Sequence, residues 1–227
     1  MTERFSSQYR FQSISGNGDA ILLVDTVRDD SVWVTLEGYG SEILDVLQEL
    51  EMGNVVEATI ASNDDIEENL WRIEEISLLC DDRLDFFETD DFTIGPTDMF
   101  WEERPEEATV YSAGRWDDNE DNILYEVQVQ SDAYMDGTEE KSVIESLFSG
   151  ELLLEGMFSG ESSQYFGEDG LDYIDPDVGV NRVVILNPST KPYIVAYLFP
   201  PSEFIPEGED RYAYVHDTLF EKSGAGE

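Results

Sequence analysis

The segment VWVTLEGYGSEILDVLQELEMGNVVEATI, residues 32–60, decides the fold of the first half of the chain. It begins with an alternating apolar run that is typical of a strand. Gly38 and Gly40 then break the pattern, and Ser41 is expected to cap a helix whose apolar residues recur on one face. Gly53 is placed to end that helix, and a β-branched run follows it. The segment therefore predicts a strand, a helix and a strand, in that order.

Two strands are expected before this segment and one after it. Residues 9–14 alternate between apolar and polar, and residues 20–25 form an apolar run suited to a strand that is buried on both faces. An acidic connection leads to a last strand at residues 70–79. The predicted order is β-β-β-α-β-β, which resembles the oligonucleotide/oligosaccharide-binding (OB) barrel, whose ligands usually bind a sheet face and two loops. A curled sheet with one packed helix is the alternative.

The whole chain is predicted to be an α+β protein. Residues 1–80 form the OB-like β-barrel segment and residues 81–107 an irregular connector. Residues 108–221 form an α+β domain with antiparallel hairpins, and residues 222–227 a frayed tail.

Within the second half, residues 182–186 and 193–199 are the strongest strand pair, since both are nearly continuous apolar runs joined by a Pro-containing turn. Residues 139–156 have apolar side chains at helical spacing, interrupted by Gly150, and predict a helix.

Acidic residues dominate the charge of the chain. Its 227 residues include 53 Asp and Glu against 12 Lys and Arg, which gives a net charge of −41, while 41% of the residues are apolar. The apolar content predicts a folded protein, because disordered chains lack it. At molar salt the Debye length falls to roughly 3 Å, which screens such a surface. We therefore expect a protein of a halophile; an acidic mimic of nucleic acid is the alternative.

The compartment follows from what the sequence lacks. No run of about 18 apolar residues occurs, and the first residues have neither a basic nor an apolar leader region. A single cysteine, Cys80, excludes an intramolecular disulfide. We expect a cytoplasmic protein with no membrane association.

Catalytic chemistry is not indicated by any motif. His216, the one histidine, has no nucleophile motif to serve, and Cys80 closes an apolar run without a nearby cation. The first half of a calcium-loop pattern appears at Asp117, Asn119 and Asp121, but the later glycine and glutamate of that pattern are replaced. These three residues are a candidate metal site, with a solvated hairpin turn as the alternative. No cofactor is expected.

If the first half is an OB-type barrel, Trp33, Tyr39, Trp71 and Arg72 are the candidate binding residues. Such sites combine stacking aromatic rings with a basic groove. However, residues 1–80 contain only four arginines beside 17 acids, which disfavours a polyanionic ligand. The alternative is that Trp33 and Trp71 belong to the barrel core.

Several stretches together resemble an uncharacterised family of haloarchaeal proteins, catalogued as a domain of unknown function. They are residues 9–11, 52–59, 124–125, 184–197 and 216–218. The resemblance implies a host and a compartment but assigns no activity. The leading hypothesis is a non-catalytic binding or adaptor protein whose partner is another protein. The alternatives are a nucleic-acid-associated accessory protein that uses the OB-like segment, and a metal-dependent hydrolase.

Overall fold

The structure is a computed structural model that describes residues 3–28, 30–62, 70–89, 101–102, 110–116, 123–136, 138–153, 179–201, 212–213 and 215–217. Strands predominate and helices are few, so the predicted α+β class is confirmed. In chain order the elements are β1 (Arg4–Ile14), β2 (Ala20–Asp25), β3 (Ser31–Thr35), α1 (Ser41–Glu49), β4 (Val55–Ser62), β5 (Leu70–Cys80), β6 (Arg83–Glu88), β7 (Val110–Trp116), β8 (Ile123–Ser131), β9 (Ala133–Asp136), β10 (Glu139–Ser142), α2 (Val143–Ser149), β11 (Arg182–Asn187) and β12 (Tyr193–Phe199).

The first five strands close into a barrel in the order β1-β2-β3-β5-β4. All neighbours are antiparallel except β3 and β5, which pair in parallel through Trp33 with Leu70 and Val34 with Trp71. The inward side chains form one apolar cluster: Tyr9, Phe11, Ile21, Leu23, Val34, Val56, Ala58, Ile60 and Ile73. The strand and helix order predicted for this half is therefore observed.

Strand β2 is buried on both faces, as its unbroken apolar run predicts. All six of its residues are buried. Ile21 and Leu23 point into the barrel cluster. Because side chains alternate along a strand, Leu22 points to the outer face, yet it is only 1% exposed. Some other part of the chain must therefore cover the outer face of β2.

Helix α1 joins β3 to β4 and packs its apolar side on the barrel cluster through Ile43 and Leu47, and Leu50, directly after the helix, packs there too. The expected cap at Ser41 was wrong. Gly40 occupies the capping position in an extended conformation, and no side chain caps this end of the helix. Ser41 has already entered the helix, so its hydroxyl is not in the position from which a cap bonds the first amides.

A second sheet of five strands has the order β6-β11-β12-β8-β7. Its centre is β12, whose seven residues are all buried. The strong pairing predicted for residues 182–186 and 193–199 is confirmed by the antiparallel β11–β12 pair. The core of this sheet consists of Phe87, Val127, Val129, Val184, Leu186, Tyr193, Val195, Tyr197, Phe199 and Val215.

The helix predicted over residues 139–156 was too long. Residues 139–142 instead form β10, which pairs with β9, and α2 covers Val143–Ser149 alone. Gly150 ends α2 with a left-handed backbone, at φ +83°. Tertiary pairing thus overrides the helical pattern before Val143, and glycine stops it after Ser149.

The chain divides into two compact units. The first comprises Met1–Arg83 and Ile144–Glu155, and the second Leu84–Val143 and Gly156–Glu227. The barrel unit therefore includes a segment from the second half of the sequence. The predicted division into a barrel segment at residues 1–80, a connector at 81–107 and an α+β domain at 108–221 stays a prediction. In the part of the chain that the structure describes, no helix is both long and apolar enough to cross a membrane.

Candidate functional site

The four residues predicted for binding do not form one group. Tyr39 lies with Arg72, whose guanidinium is 5.1 Å from the centre of the tyrosine ring. Trp71 packs against the barrel cluster and contacts Phe5. Trp33 is half-buried and lies on the opposite side of β3 from the core residue Val34. The binding role assigned to these side chains stays a prediction.

The Tyr39 hydroxyl bridges β3 and β5 just past the point where their parallel pairing ends. It donates a hydrogen bond to the Thr35 carbonyl oxygen at 2.8 Å and accepts one from the Ile73 amide at 3.0 Å. Burial raises the pKa of Tyr39, and this outweighs the lowering by the Ile73 amide and the Arg72 charge. The phenol therefore keeps its proton at neutral pH and serves as a structural donor in closing the barrel.

Arg72 is held in place on the same surface. Besides lying over the Tyr39 ring, its guanidinium donates to the Gly38 carbonyl oxygen. Gly38 has φ +82°, and a Cβ at this position would be 3.3 Å from the Arg72 Nη1 atom. The glycine thus permits both the turn and the approach of the arginine. The cation predicted to contact a ligand already has two contacts within the chain.

The end of the barrel near the start of β1 presents exposed aromatic surface, and we call Phe5, Arg28 and Trp71 the barrel end. The Phe5 and Trp71 ring centres are 5.4 Å apart. The Arg28 guanidinium lies 5.7 Å from the Phe5 ring centre. Phe5 pairs with Ile60, which is in the core, so both point inward; Phe5 is nevertheless 41% exposed. Sequence reasoning identified Trp71 but missed Phe5.

The cations at this end are neutralised by nearby acids. Arg28 contacts Asp25 at 2.9 Å, and Arg4 contacts Glu74 at 2.8 Å. Burial alone would raise the pKa of Asp25, but hydrogen bonds from Ser7 and from two backbone amides, with the Arg28 charge, bring it below its ordinary value. The barrel end therefore offers aromatic surface rather than a net positive groove.

A buried ion pair fixes β1 to the residues that follow β5. Arg10 Nη1 donates to Asp82 Oδ2 at 2.9 Å and to the Gly53 carbonyl at 2.7 Å. Asn54 donates to the Asp82 backbone carbonyl at 2.8 Å. The Cys80 thiol donates to the other Asp82 carboxylate oxygen at 2.9 Å. Sequence reasoning missed this network, because it joins residues 72 positions apart.

Cys80 is poorly suited to act as a nucleophile. Burial raises the pKa of its thiol, and the hydrogen bond to Asp82 raises it further. The reactive form of cysteine is the thiolate, which this environment disfavours. The thiol instead belongs to the Asp82 hydrogen-bond network.

A family model described as a family of unknown function (DUF6663) matches residues 1–203. The chain belongs to this family. The expectation of an uncharacterised family is thereby confirmed. No curated protein matches the chain. Among solved structures, this DUF6663 chain is similar to the crystal structure of a protein of unknown function (DUF1344) from Bacteroides vulgatus ATCC 8482. The identity is 11%, the TM-score is 0.26, and the match covers 92% of this chain and 98% of that chain.

The one histidine of the DUF6663 chain lies among acids in the second unit. His216 Nδ1 is 3.2 Å from Asp217 Oδ1, and Nε2 is 3.8 Å from Asp85 Oδ1. Tyr212 donates to the other Asp85 oxygen at 2.6 Å. Both ring nitrogens face carboxylates, which is not the arrangement of a base that activates a serine or cysteine. The interpretation of His216 as a non-catalytic polar residue stays a prediction.

The candidate metal residues Asp117, Asn119 and Asp121 lie outside the described residues. Within the residues that the structure describes, no three His, Cys, Asp or Glu side chains are grouped so that they could hold a metal ion.

Proposed function

We propose that this DUF6663 chain is a non-catalytic binding or adaptor protein that recognises another protein through its barrel end. The exposed Phe5 ring, which packs at a tilt against Trp71, carries this proposal. Val27 extends the apolar surface of the adjoining β2–β3 turn and is 76% exposed. Large aromatic side chains beside an arginine are the residues that most often dominate protein–protein binding energy.

The barrel belongs, in this proposal, to the OB type. Its closed order β1-β2-β3-β5-β4 and the helix between the third and fourth strands support this assignment. Nucleic acid is nevertheless the second candidate ligand rather than the first. The arginines at the barrel end already contact acids, and molar salt weakens the attraction of cations to phosphate.

We also propose that the protein works in the molar-salt cytoplasm of a haloarchaeon. The excess of 41 negative charges supports this proposal, because in dilute buffer such a surface opposes compaction. Under molar salt, apolar contacts contribute most to recognition because attraction between charges is screened. An aromatic recognition surface such as the barrel end is suited to that solvent.

The test is capture of a partner from lysate in multimolar KCl, with and without nuclease. The Phe5→Ser variant removes the exposed ring. Ile14→Ser removes an apolar side chain that is even more exposed, at 53%, from the other end of the same strand and is the control. We expect a protein that the parent and the control retain and that Phe5→Ser loses, with no effect of nuclease. Equal capture by both variants would refute the role of the barrel end, and loss with nuclease would favour nucleic acid.

A further inference from the structure

The second half of β5 has a strand neighbour on one side only, within the part of the chain that the structure describes. Strand β4 pairs with β5 from Trp71 onward, whereas β3 pairs with it only at Leu70 and Trp71. Residues 77–80 are all exposed, with Leu78 at 49% and Leu79 at 48%. Side chains alternate between the two faces of a strand, so four consecutive exposed residues indicate an uncovered side. We call the open side of β5 after Trp71 the β5 edge.

The register of β4 identifies the backbone groups that point to this edge. The Ser62 amide donates to the Glu3 carbonyl oxygen, directly before β1, at 2.9 Å. The even-numbered residues of β4 therefore direct their backbone groups to β1, because the direction alternates along a strand. Two residues of β5, Ile76 and Leu78, lie opposite even-numbered residues of β4. Their amides and carbonyls consequently point away from β4, to the β5 edge.

A second hydrogen bond agrees with this assignment. Ile73 lies opposite the even-numbered Ile60, and its amide donates to the Tyr39 hydroxyl on the side of β3 at 3.0 Å. The outward groups of Ile76 and Leu78 are two residues apart. A strand that adds to a sheet edge makes its backbone hydrogen bonds at this spacing.

A β-bulge accompanies the exposed leucines. The pairing of β4 with β5 shifts register between Val55 and Val56, so Leu79 is the extra residue. Leu78 lies opposite the core residue Val56 and yet is nearly half exposed. A neighbouring strand would cover part of both leucine side chains, since cross-strand neighbours are in contact. The β5 edge thus combines backbone hydrogen-bonding groups with apolar surface.

The charges beside the edge distinguish a second copy of the chain from a different partner. Glu75 and Asp81 are exposed and border the uncharged residues 76–80. Two copies paired antiparallel about Leu78 would place Glu75 of each opposite Asp81 of the other. Like charges directly opposite one another destabilise a sheet. A strand with a lysine or arginine at each end would instead form two attractive pairs.

We propose that the β5 edge binds an extended segment of a partner protein, β-branched at its centre and basic at its ends, which adds to β5 as a further strand. Backbone hydrogen bonds to Ile76 and Leu78 give affinity, and contacts of the leucines with alternate side chains give specificity. Glu75 and Asp81 pair with the basic ends. This surface is separate from the barrel end, so failure of either proposal leaves the other standing.

Binding of synthetic peptides to the full chain, followed by fluorescence anisotropy in multimolar KCl, tests the proposal. The probe is a labelled Lys-Thr-Val-Thr-Val-Thr-Lys peptide, which matches the span from Glu75 to Asp81. A second peptide has proline at the central position, so it keeps both charges but cannot complete the backbone ladder. A third has glutamate at both ends. We expect saturable binding of the first, none of the second and roughly fourfold weaker binding of the third.

Variants of the chain separate the backbone from the side chain. Leu78→Pro removes an amide that points to the edge and spares the bonds to β4. Leu78→Thr keeps the amide and removes the apolar contact. Ile14→Thr changes an apolar side chain of another strand, 53% exposed, and is the matched control. Binding should weaken about fivefold in Leu78→Thr and about tenfold more in Leu78→Pro, and stay unchanged in the control.

Several results would overturn the proposal. Absence of saturable binding by the first peptide, or equal binding of the proline peptide, would exclude strand addition. Equal binding of the glutamate peptide would exclude a partner with basic ends. A parent that sediments as a dimer, and that Leu78→Pro converts to a monomer, would make a second copy the occupant. If Leu78→Pro does not unfold cooperatively in urea, equal binding by Leu78→Thr and Ile14→Thr would refute the site.

Discussion

Replacing Tyr39 by phenylalanine should weaken the closure of the barrel while leaving its packing intact. The ring, its contact with the barrel cluster and its stacking with Arg72 remain. The hydroxyl is lost, and with it the bonds to Thr35 and Ile73. The substitution therefore isolates the polar bridge between β3 and β5.

The expected cost follows from the two groups left behind. An unsatisfied buried donor or acceptor costs about 1 to 3 kcal/mol. Thr35 and Ile73 are buried, but Tyr39 itself is half-buried, so water can reach the space that its hydroxyl leaves and the lower part of this range applies to each group. We expect the free energy of unfolding to fall by about 2 kcal/mol.

Urea unfolding in molar KCl, followed by tryptophan fluorescence, measures this change. Tyr9→Phe is the matched control: its ring is in the same cluster and only 2% exposed, and within the described part of the chain its hydroxyl makes no such bridge. The control should change stability by less than about 0.5 kcal/mol. If Tyr39→Phe is as stable as Tyr9→Phe, the tyrosine bridge does not close the barrel.

Three further predictions concern the ionisable groups. Arg10→Ala leaves Asp82 buried without its cation and should cost about 3 to 5 kcal/mol in urea unfolding, whereas Arg10→Met should cost less because it fills the space. A loss below about 1 kcal/mol for Arg10→Ala would contradict a stabilising role of the pair. The raised pKa of Tyr39 means that the folded state holds the phenol proton more tightly than the unfolded state, so the free energy of unfolding should fall as the pH rises above about 10. Tyr39→Phe should make that fall less steep. An unchanged slope of stability against pH in this variant would contradict the prediction. Asp25 has a lowered pKa, so the stability that its ionised carboxylate contributes should be lost as the pH falls below about 4. Asp25→Asn should therefore reduce the acid dependence of the unfolding midpoint. Identical acid profiles for the parent and the variant would contradict this prediction.

Local patterns were sufficient for most of the barrel. The apolar run of β2 predicted burial on both faces, and the apolar spacing after Ser41 predicted α1. Both features are set by residues that are close in the sequence, so the spacing of apolar residues is enough to predict them. The helix expected over residues 139–156 failed because β9 recruits its first turn into a hairpin.

Long-range contacts account for what the sequence did not disclose. The Arg10–Asp82 pair, the Gln12–Leu147 hydrogen bond and the Phe5–Trp71 contact each join residues that are far apart in the chain. Arg10 lies inside a largely apolar strand, and this position is a usable signal of an ion pair, because a buried cation requires a partner. The identity of that partner depends on the closed topology of the barrel, which composition does not contain.

The most direct test measures the free energy of unfolding at increasing KCl concentrations with a chelator present. It asks whether the 53 acidic residues adapt the protein surface to high salt or form a specific binding site. We predict that the free energy of unfolding rises steeply from dilute buffer to molar KCl, because screening relieves repulsion among 41 excess negative charges. A chain that is compact, cooperative and equally stable in dilute buffer would contradict this interpretation. The acidic residues would then have to be explained by a ligand or a partner.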